Sequence, residues 1–279
     1  MKVILSRKGF DSENGGYPSP ILPNGQMISL PIPDQKDDIR YSDVNTGELT
    51  CYDLMKGFNP RIRSNNKRLD IDEDTRCHLD PDIHRKAIGR EPNWKPLFGQ
   101  VDAAQGHLRK QKVSEGDLFL FFGWFRKTRY NEGKLVFDPI ERDLHAIFGY
   151  LQIGEITKVD HEFGVPKWMK YHPHTNEKYW NNKTNTIYIA RDVLNWNEAI
   201  PGAGRFMFND KLVLTKKGLS RSKWDLPDCF RDAEISYNKH PWRDGYFKSA
   251  DKGQEFVVKD NQRIEEWAMN KIEGSQIDY

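Results

Sequence analysis

The chain has 279 residues, of which 43 are lysine or arginine and 41 are aspartate or glutamate, giving a formal net charge of +2. This balance excludes a protein that holds nucleic acid through an overall positive charge, so any contact with phosphates must be local. An aromatic content of 12% excludes a disordered chain, and three widely spaced cysteines predict neither a disulfide framework nor a cysteine zinc site, as expected in a reducing cytoplasm.

The first part of the chain predicts short elements between long polar loops. Residues 2–6 predict a strand that runs into a tight glycine-rich loop at 11–16, and residues 27–30 predict a short edge strand. Helices are expected at 50–56, 84–88 and 102–111.

The centre of the chain has the strongest structural pattern. Seven of the eight residues from Leu118 to Phe125 are large and apolar, which predicts a strand that is buried on both faces. A second strand is predicted at 145–156, after a hairpin-like segment around Glu132. These strands belong to a β-rich core at about 113–215.

The last part of the chain predicts three more strands and a helix. The strands are expected at 186–190, 205–208 and 212–215, the last two joined by a turn at Asn209, and the helix at 261–272. The expected fold is α+β, a mixed β-rich core with peripheral helices and long loops. We expect one compact domain over residues 1–279, and a boundary near Asn93 is the alternative.

The sequence gives no sign of membrane insertion. Its longest apolar run, residues 118–122, is too short to span a bilayer, and the first eight residues lack the length of a secretory leader. A cytoplasmic protein without membrane contact is therefore expected.

Two cations and a carboxylate, Arg7, Lys8 and Asp11, stand where the first predicted strand enters its loop. Proteins with α/β folds often present ligand-binding groups at such a place. Gly15 and Gly16 permit backbone N–H groups to approach an anion closely. The spacing matches no phosphate-binding loop, and an ordinary surface turn is the alternative.

Residues 78–84 combine two imidazoles with two carboxylates, the groups that bind divalent metals or transfer protons. The metal-ligand candidates are His78, Asp80 and Asp82. Pro81 argues against a helix, and an ordinary Asp-Pro turn is the alternative.

Gln100 and His107 precede the buried strand. Such side chains can read a base edge or transfer a proton, although a single helical histidine is more often structural. His172 and His174 form another imidazole pair, which we expect at the surface of a polar loop.

The C-terminal segment combines aromatic rings with hydrogen-bonding side chains. Trp242, Arg243, Gln254 and Glu255 supply a stacking surface and polar edges of the kind that hold a nucleobase. Simple packing is the alternative.

Five groups of residues form a set: Ser6–Asp11 with Pro18–Ile21, Ser29–Pro33, Leu79–Asp82, Gly116–Phe125 and Gly253–Val257. This set, which spans nearly the whole chain, resembles the nucleotide modification associated domain 3 family. Such domains are associated with bacterial and phage systems, phage defence among them, that synthesise, recognise or remove modified DNA bases. The resemblance implies a nucleic-acid or nucleotide partner, and it fixes neither the reaction, a cofactor nor an oligomeric state.

The predicted strands at Gly116–Phe125 and 147–156 are also similar to the paired core strands of PUA-like domains, the superfamily of the ASCH and EVE modules. Those domains are small barrels that hold a base or nucleotide in a cleft. The likeness implies a barrel in the centre of the chain alone, because the flanking segments exceed such a module.

Two functions follow. The first is an enzyme that modifies or removes a base, with Asp11, Asp80 and His107 as catalytic candidates and with Arg7 and Lys8 on a phosphate. Its remaining substrate-binding candidates are Gln100, Trp124, Trp242, Arg243, Gln254 and Glu255. The number of ionisable groups favours this hypothesis.

The second is a non-catalytic reader, in which a cleft lined by Trp124, Trp242 and Gln254 captures a flipped modified base. A protein-interaction scaffold is a third alternative, and it predicts that no nucleotide binds.

Overall fold

The computed structural model describes residues 1–236, 241–249 and 255–278. The helices in these ranges are α1 Cys51–Phe58, α2 Asp102–Lys110 and α3 Gln262–Glu273. The strands are β1 Val3–Arg7, β2 Ser19–Ile21, β3 Ile32–Pro33, β4 Arg61–Ser64, β5 Lys67–Asp70, β6 Cys77–His78, β7 Leu97–Gln100, β8 Leu118–Asn131, β9 Lys134–Phe137, β10 Leu144–Lys158, β11 Thr186–Ala190, β12 Val193–Leu194, β13 Asn197–Pro201, β14 Ala203–Phe206, β15 Lys223–Trp224, β16 Trp242–Arg243, β17 Tyr246–Lys248, β18 Glu255–Val258 and β19 Ile277–Asp278.

The main sheet has the strand order β18-β1-β8-β10-β11-β7. Strands β1 and β8 are parallel, and the other neighbours on this path are antiparallel. Strand β14 pairs with β10 and with β19, while β2 and β9 pair with β8. The mixed α and β content confirms the expected α+β class with a β-rich core.

The sheet is strongly curled. Six strands in a flat sheet would hold the outermost two roughly 24 Å apart, at about 4.8 Å per spacing. Yet the Gln100 side chain in β7 donates a hydrogen bond of 2.8 Å to Glu255 in β18. Within the described residues no backbone ladder closes this curl into a barrel.

Aromatic side chains pack on both faces of β8, as its sequence predicts. Phe119 and Phe121 contact Phe98 with ring centroids 5.0 and 5.3 Å apart. Phe122 points to the opposite face and contacts Trp224 at 4.9 Å. Burial of each such ring contributes about 1.5–3 kcal/mol, so these contacts fix the scaffold on which the loops are mounted.

The structure agrees with most predicted elements. Strands β1, β8, β10 and β11 and helices α1, α2 and α3 occur where the sequence predicts them. Strand β8 extends to Asn131, and the excursion around Glu132 is the β8–β9 hairpin.

Three local predictions are wrong. Among residues 27–30 only Met27 forms an isolated bridge, to Ile21, in place of an edge strand. Residues 84–88 contain a short 3-10 helix, Arg85–Ala87, where a longer helix is predicted. The predicted hairpin around Asn209 does not form, because β14 pairs with β10 and β19, and the Asn209 side chain caps a 3-10 helix instead.

Strands from both sides of residue 93 share the main sheet. Strands β1 and β2, which precede Asn93, pair with β8, which follows it. The single domain stays a prediction. No helix in the described ranges has the length and apolar character needed to cross a membrane.

Candidate active site

A polar pocket lies where β1 and β7 end, at one end of the curled sheet. Its cavity of about 140 Å³ has room for a handful of water molecules, at about 30 Å³ each. Its lining residues are Arg7, Lys8, Gly9, Asp11, Asn14, Ile32, His78, Asp80, Gly99, Gln100, Val101, His174 and Tyr179. They come from separate stretches of the chain, so only folding assembles the pocket.

Two glycines allow the walls of this pocket to approach one another. Gly9 has a φ of +77°, and a Cβ there would lie 2.5 Å from the Ser29 hydroxyl. A Cβ on Gly99 would lie 2.2 Å from the His174 ring. The imidazole therefore sits against β7 only because residue 99 has no side chain.

Asp80 is a buried carboxylate held by two donors. Its Oδ1 accepts hydrogen bonds from the Gly99 backbone N–H at 2.8 Å and from His172 Nε2 at 3.1 Å. Burial acts to raise the pKa of Asp80, but the hydrogen bond from His172 and the neighbouring imidazoles outweigh it and lower this pKa to about 2. The group is therefore ionised at neutral pH.

The hydrogen bonds of His172 and His174 fix their tautomers. His172 Nδ1 accepts from the His174 backbone N–H, so its proton is on Nε2, toward Asp80. His174 Nδ1 lies 2.9 Å from Asn185 Oδ1, which can only accept, so this nitrogen carries the proton. Burial, partly opposed by Asp80, lowers the pKa of His174 to about 3 and keeps the ring neutral.

His78 is oriented in the same manner by a carboxylate. Its Nδ1 lies 2.8 Å from Asp37 Oδ2. Asp37 is 1% exposed and also accepts a hydrogen bond of 2.6 Å from Lys178, which contacts Asp34 at 2.8 Å as well. Asp37 thus holds the His78 ring through Nδ1.

Three of these side chains converge. One potential ligand atom each from His78, Asp80 and His174 lies within 4.8 Å of the other two. A Tyr179 ring stacks on His174 at 4.9 Å and with an interplanar angle of 6°, which fixes the imidazole plane. Two imidazoles and one carboxylate are a donor set that divalent transition metals accept.

Lys8 contributes a positive charge to the pocket wall, beside Arg7. Its Nζ lies 2.9 Å from Glu255 Oε1 and 4.3 Å from the centroid of the Phe98 ring. Glu255 is fully buried behind the pocket and does not line it. The Gln100 side chain donates to the same carboxylate oxygen, so Glu255 positions both Lys8 and Gln100.

The pocket adjoins a larger groove of about 900 Å³, and Arg7 and Asp11 line both. The remaining charged and aromatic residues of the groove are Phe10, Trp124, Arg126, Glu141, Arg142, Asp143, His145 and Arg221. Four arginines and three carboxylates line this groove, so its lining has a small excess of positive charge.

A cation and an indole ring form one wall of this groove. The Arg221 guanidinium lies 3.8 Å from the centroid of the Trp124 ring, and Asp143 pairs with both Arg126 and Arg221. Burial, with further contributions from Arg221 and other cations, lowers the pKa of His145 to about 3. The groove thus combines an indole ring with guanidinium groups, the side chains that bind single bases and their phosphates.

Most of the first-strand and Asp-Pro predictions converge on the pocket. Its lining includes Arg7, Lys8, Asp11, His78, Asp80 and Gln100, while Trp124 lies in the groove. Asp11 also holds its own loop, because its Oδ1 accepts hydrogen bonds from the backbone of Glu13 and Asn14.

Other predicted residues lie elsewhere. His107, which lies in α2, is 2.9 Å from the Ser236 hydroxyl. Asp82 forms a buried ion pair with Arg90 and does not belong to the converging group of His78, Asp80 and His174. Trp242 and Arg243 form β16, where the Arg231 guanidinium covers the Trp242 ring at 4.1 Å. Gln254 lies outside the described residues.

The expected surface location of the His172 and His174 pair is wrong, since each is only 3% exposed. The two imidazoles instead bond to Asp80 and Asn185 inside the protein. The His-Pro-His pattern was the only sequence signal for this wall. Nothing local connected it with Asp80, which is 92 residues away.

Fold and pocket together define an α+β protein with histidines and a carboxylate gathered at one end of a curled sheet. The chain belongs to the nucleotide modification associated domain 3 family, whose model matches residues 2–259, and this confirms the resemblance of its motifs. No curated protein and no solved structure matches the chain.

Proposed function

We propose that this protein is an enzyme that modifies or removes a base in nucleic acid, or in a nucleotide, with a modified DNA base as the preferred substrate. The observation that carries the proposal is the junction of two cavities: the Asp80 pocket opens beside the Trp124 groove, and Arg7 and Asp11 belong to both. The family membership supports a nucleotide or nucleic-acid partner.

The division of groups between the cavities supports catalysis. The small pocket contains ionised and neutral acid-base groups in fixed positions, as reactive sites require. The groove contains the indole and guanidinium groups that hold an unstacked base and its phosphates. In this arrangement Arg7 contacts a phosphate, Trp124 stacks on the nucleotide and Asp80 acts at the reacting base.

The test compares Asp80→Asn with wild type on oligonucleotides that carry methylated, hydroxymethylated or unmodified bases. Products are read by mass spectrometry of the digested nucleosides, and binding is read separately by fluorescence anisotropy. We expect loss of the product with binding kept within a few fold. Asp160→Asn, at a partly exposed carboxylate that lines neither cavity, is the matched control and keeps activity.

The non-catalytic reader is the competing outcome of the same experiment. Tight binding to one modified base, with no product on any substrate, would support the reader and contradict the enzyme. A product that persists unchanged in Asp80→Asn would remove Asp80 from the mechanism. If no nucleotide bound at all, the protein-interaction scaffold would be the remaining hypothesis.

A further inference from the structure

We propose that His78, Asp80 and His174 bind one first-row divalent transition metal ion, such as Zn²⁺ or Fe²⁺, through two imidazole nitrogens and one carboxylate oxygen. The inference deepens the proposed function by placing a metal in the same pocket, but binding of the metal is measurable without any substrate.

The first argument is the orientation of the two imidazoles. In metal sites a ligating histidine donates its other ring N–H to a carboxylate or carbonyl group, which fixes the tautomer. His78 meets this condition through Asp37 at 2.8 Å, and His174 through Asn185 at 2.9 Å. In both rings the hydrogen bond engages Nδ1, so Nε2 is the nitrogen that remains for a metal ion.

The second argument concerns the carboxylate. Asp80 Oδ1 already accepts from Gly99 and from His172, which leaves Oδ2 as the oxygen available to a ligand. The side chain is 5% exposed, and a negative charge so deeply buried is normally paired or bound to a metal. The hydrogen bonds from His172 and Gly99 both reach Oδ1.

The third argument is geometric. Ligands at about 2.1 Å from one ion lie about 3 Å apart when they share one face of it. The three ligand atoms lie within 4.8 Å of one another, so small rotations of the side chains bring them to that spacing. Three protein ligands on one face leave the opposite positions open toward the cavity, where water or substrate can bind.

A neighbouring group of potential ligands is already neutralised. Asp34, Asp37 and His78 also approach one another, but the Lys178 ammonium lies 2.8 Å from Asp34 and 2.6 Å from Asp37. In that group Lys178 occupies the position of a cation. Asp37 is thereby free to act as the orienting partner of His78.

The experiment treats the full chain with a chelator, removes the chelator, and titrates Co²⁺ and Zn²⁺ by absorption spectroscopy and calorimetry. We expect one ion per chain and a Co²⁺ spectrum without a thiolate charge-transfer band, because the ligands are nitrogen and oxygen. A thiolate band would place the ion at a cysteine and would overturn the proposal. The absence of any metal binding would overturn it as well.

Variants locate the ion. His174→Ala and Asp80→Asn are each expected to weaken binding at least 100-fold. Asp37→Asn, which changes the group that orients His78 and also removes a counter-charge of Lys178, is expected to weaken it 10- to 100-fold. His161→Ala, at an exposed imidazole, is the matched control and leaves the affinity unchanged. Unchanged metal affinity in His174→Ala would overturn the proposal. If that variant does not fold, the Co²⁺ spectrum of the wild-type protein decides whether the ligands are nitrogen and oxygen.

The outcome separates the metal from the proposed function. Metal bound at this site, without activity on any base, supports the inference and contradicts the function. Base modification by a chain that binds no metal supports the function and overturns the inference.

Discussion

Glu255 accepts a hydrogen bond of 2.8 Å from Gln100, although the two residues lie on the outermost strands of the six-strand path through the main sheet. The same carboxylate pairs with Lys8 at 2.9 Å and is fully buried. One side chain thus connects the curl of the sheet to the charged wall of the pocket.

We predict that Glu255→Gln destabilises the protein by about 3–5 kcal/mol, because it leaves the buried Lys8 ammonium without its counter-charge. The free energy of unfolding is measured by urea denaturation. Glu234→Gln breaks a largely exposed pair with Lys259 and is expected to change stability by less than about 1 kcal/mol. Equal effects of the two substitutions would mean that burial of Lys8 does not matter.

Gly99→Ala is predicted to disable the pocket by displacing the His174 ring, which a Cβ would meet at 2.2 Å. Affinity for Co²⁺ and activity on a base should both fall at least tenfold. Gly106→Ala, in α2 where a Cβ meets nothing within 4 Å, is the control and should add about 0.5–1 kcal/mol of stability. Full metal affinity in Gly99→Ala would contradict the packing argument.

Trp124→Ala is predicted to weaken binding of single-stranded oligonucleotides by about 1–3 kcal/mol, the contribution of one stacked base. Tyr130→Ala removes an aromatic ring that is 67% exposed and does not line the groove, and it should leave binding unchanged. Fluorescence anisotropy at fixed salt measures both. If Trp242→Ala instead causes the larger loss, and on modified DNA selectively, the reader hypothesis gains support.

Arg7→Gln is predicted to weaken binding to modified and unmodified strands alike, because a phosphate contact carries no base information. The slope of log affinity against log salt should decrease by about one unit. A loss confined to one base would assign Arg7 to base recognition.

We predict that acid destabilises this protein through His145. Burial, with help from Arg221, Arg7 and Lys248, lowers the pKa of His145 to about 3, against about 6.5 in an unfolded chain. The unfolded state therefore binds the proton first. The contribution is fully present above about pH 6.5 and is lost toward pH 3, at about 1.4 kcal/mol per pH unit.

Urea denaturation between pH 7 and pH 5 measures this dependence. His145→Gln is expected to reduce the slope by about one proton, whereas His161→Gln, at an exposed position, should not change it. An unchanged slope in His145→Gln would assign the acid sensitivity to other groups, such as His84, whose pKa burial lowers to about 4.

Several elements could be predicted because their cause is local. The apolar run from Leu118 predicts a strand buried on both faces, and Ile264, Ala268 and Ile272 predict the buried face of α3. The position of Arg7 at the end of the first predicted strand similarly indicated a ligand-binding loop, and Arg7 lines the pocket.

The sequence by itself therefore determined the core strands, the helices and the chemical types available in the loops, because hydrophobic periodicity depends on neighbouring residues only. Only the tertiary structure decided which side chains contact one another. His174 lies beside Asp80 rather than in solvent, and Arg231 covers the Trp242 ring. The physical reason is that a buried polar side chain is stabilised by hydrogen bonds to residues distant in sequence. Their identity depends on how the sheet curls, which no local pattern encodes.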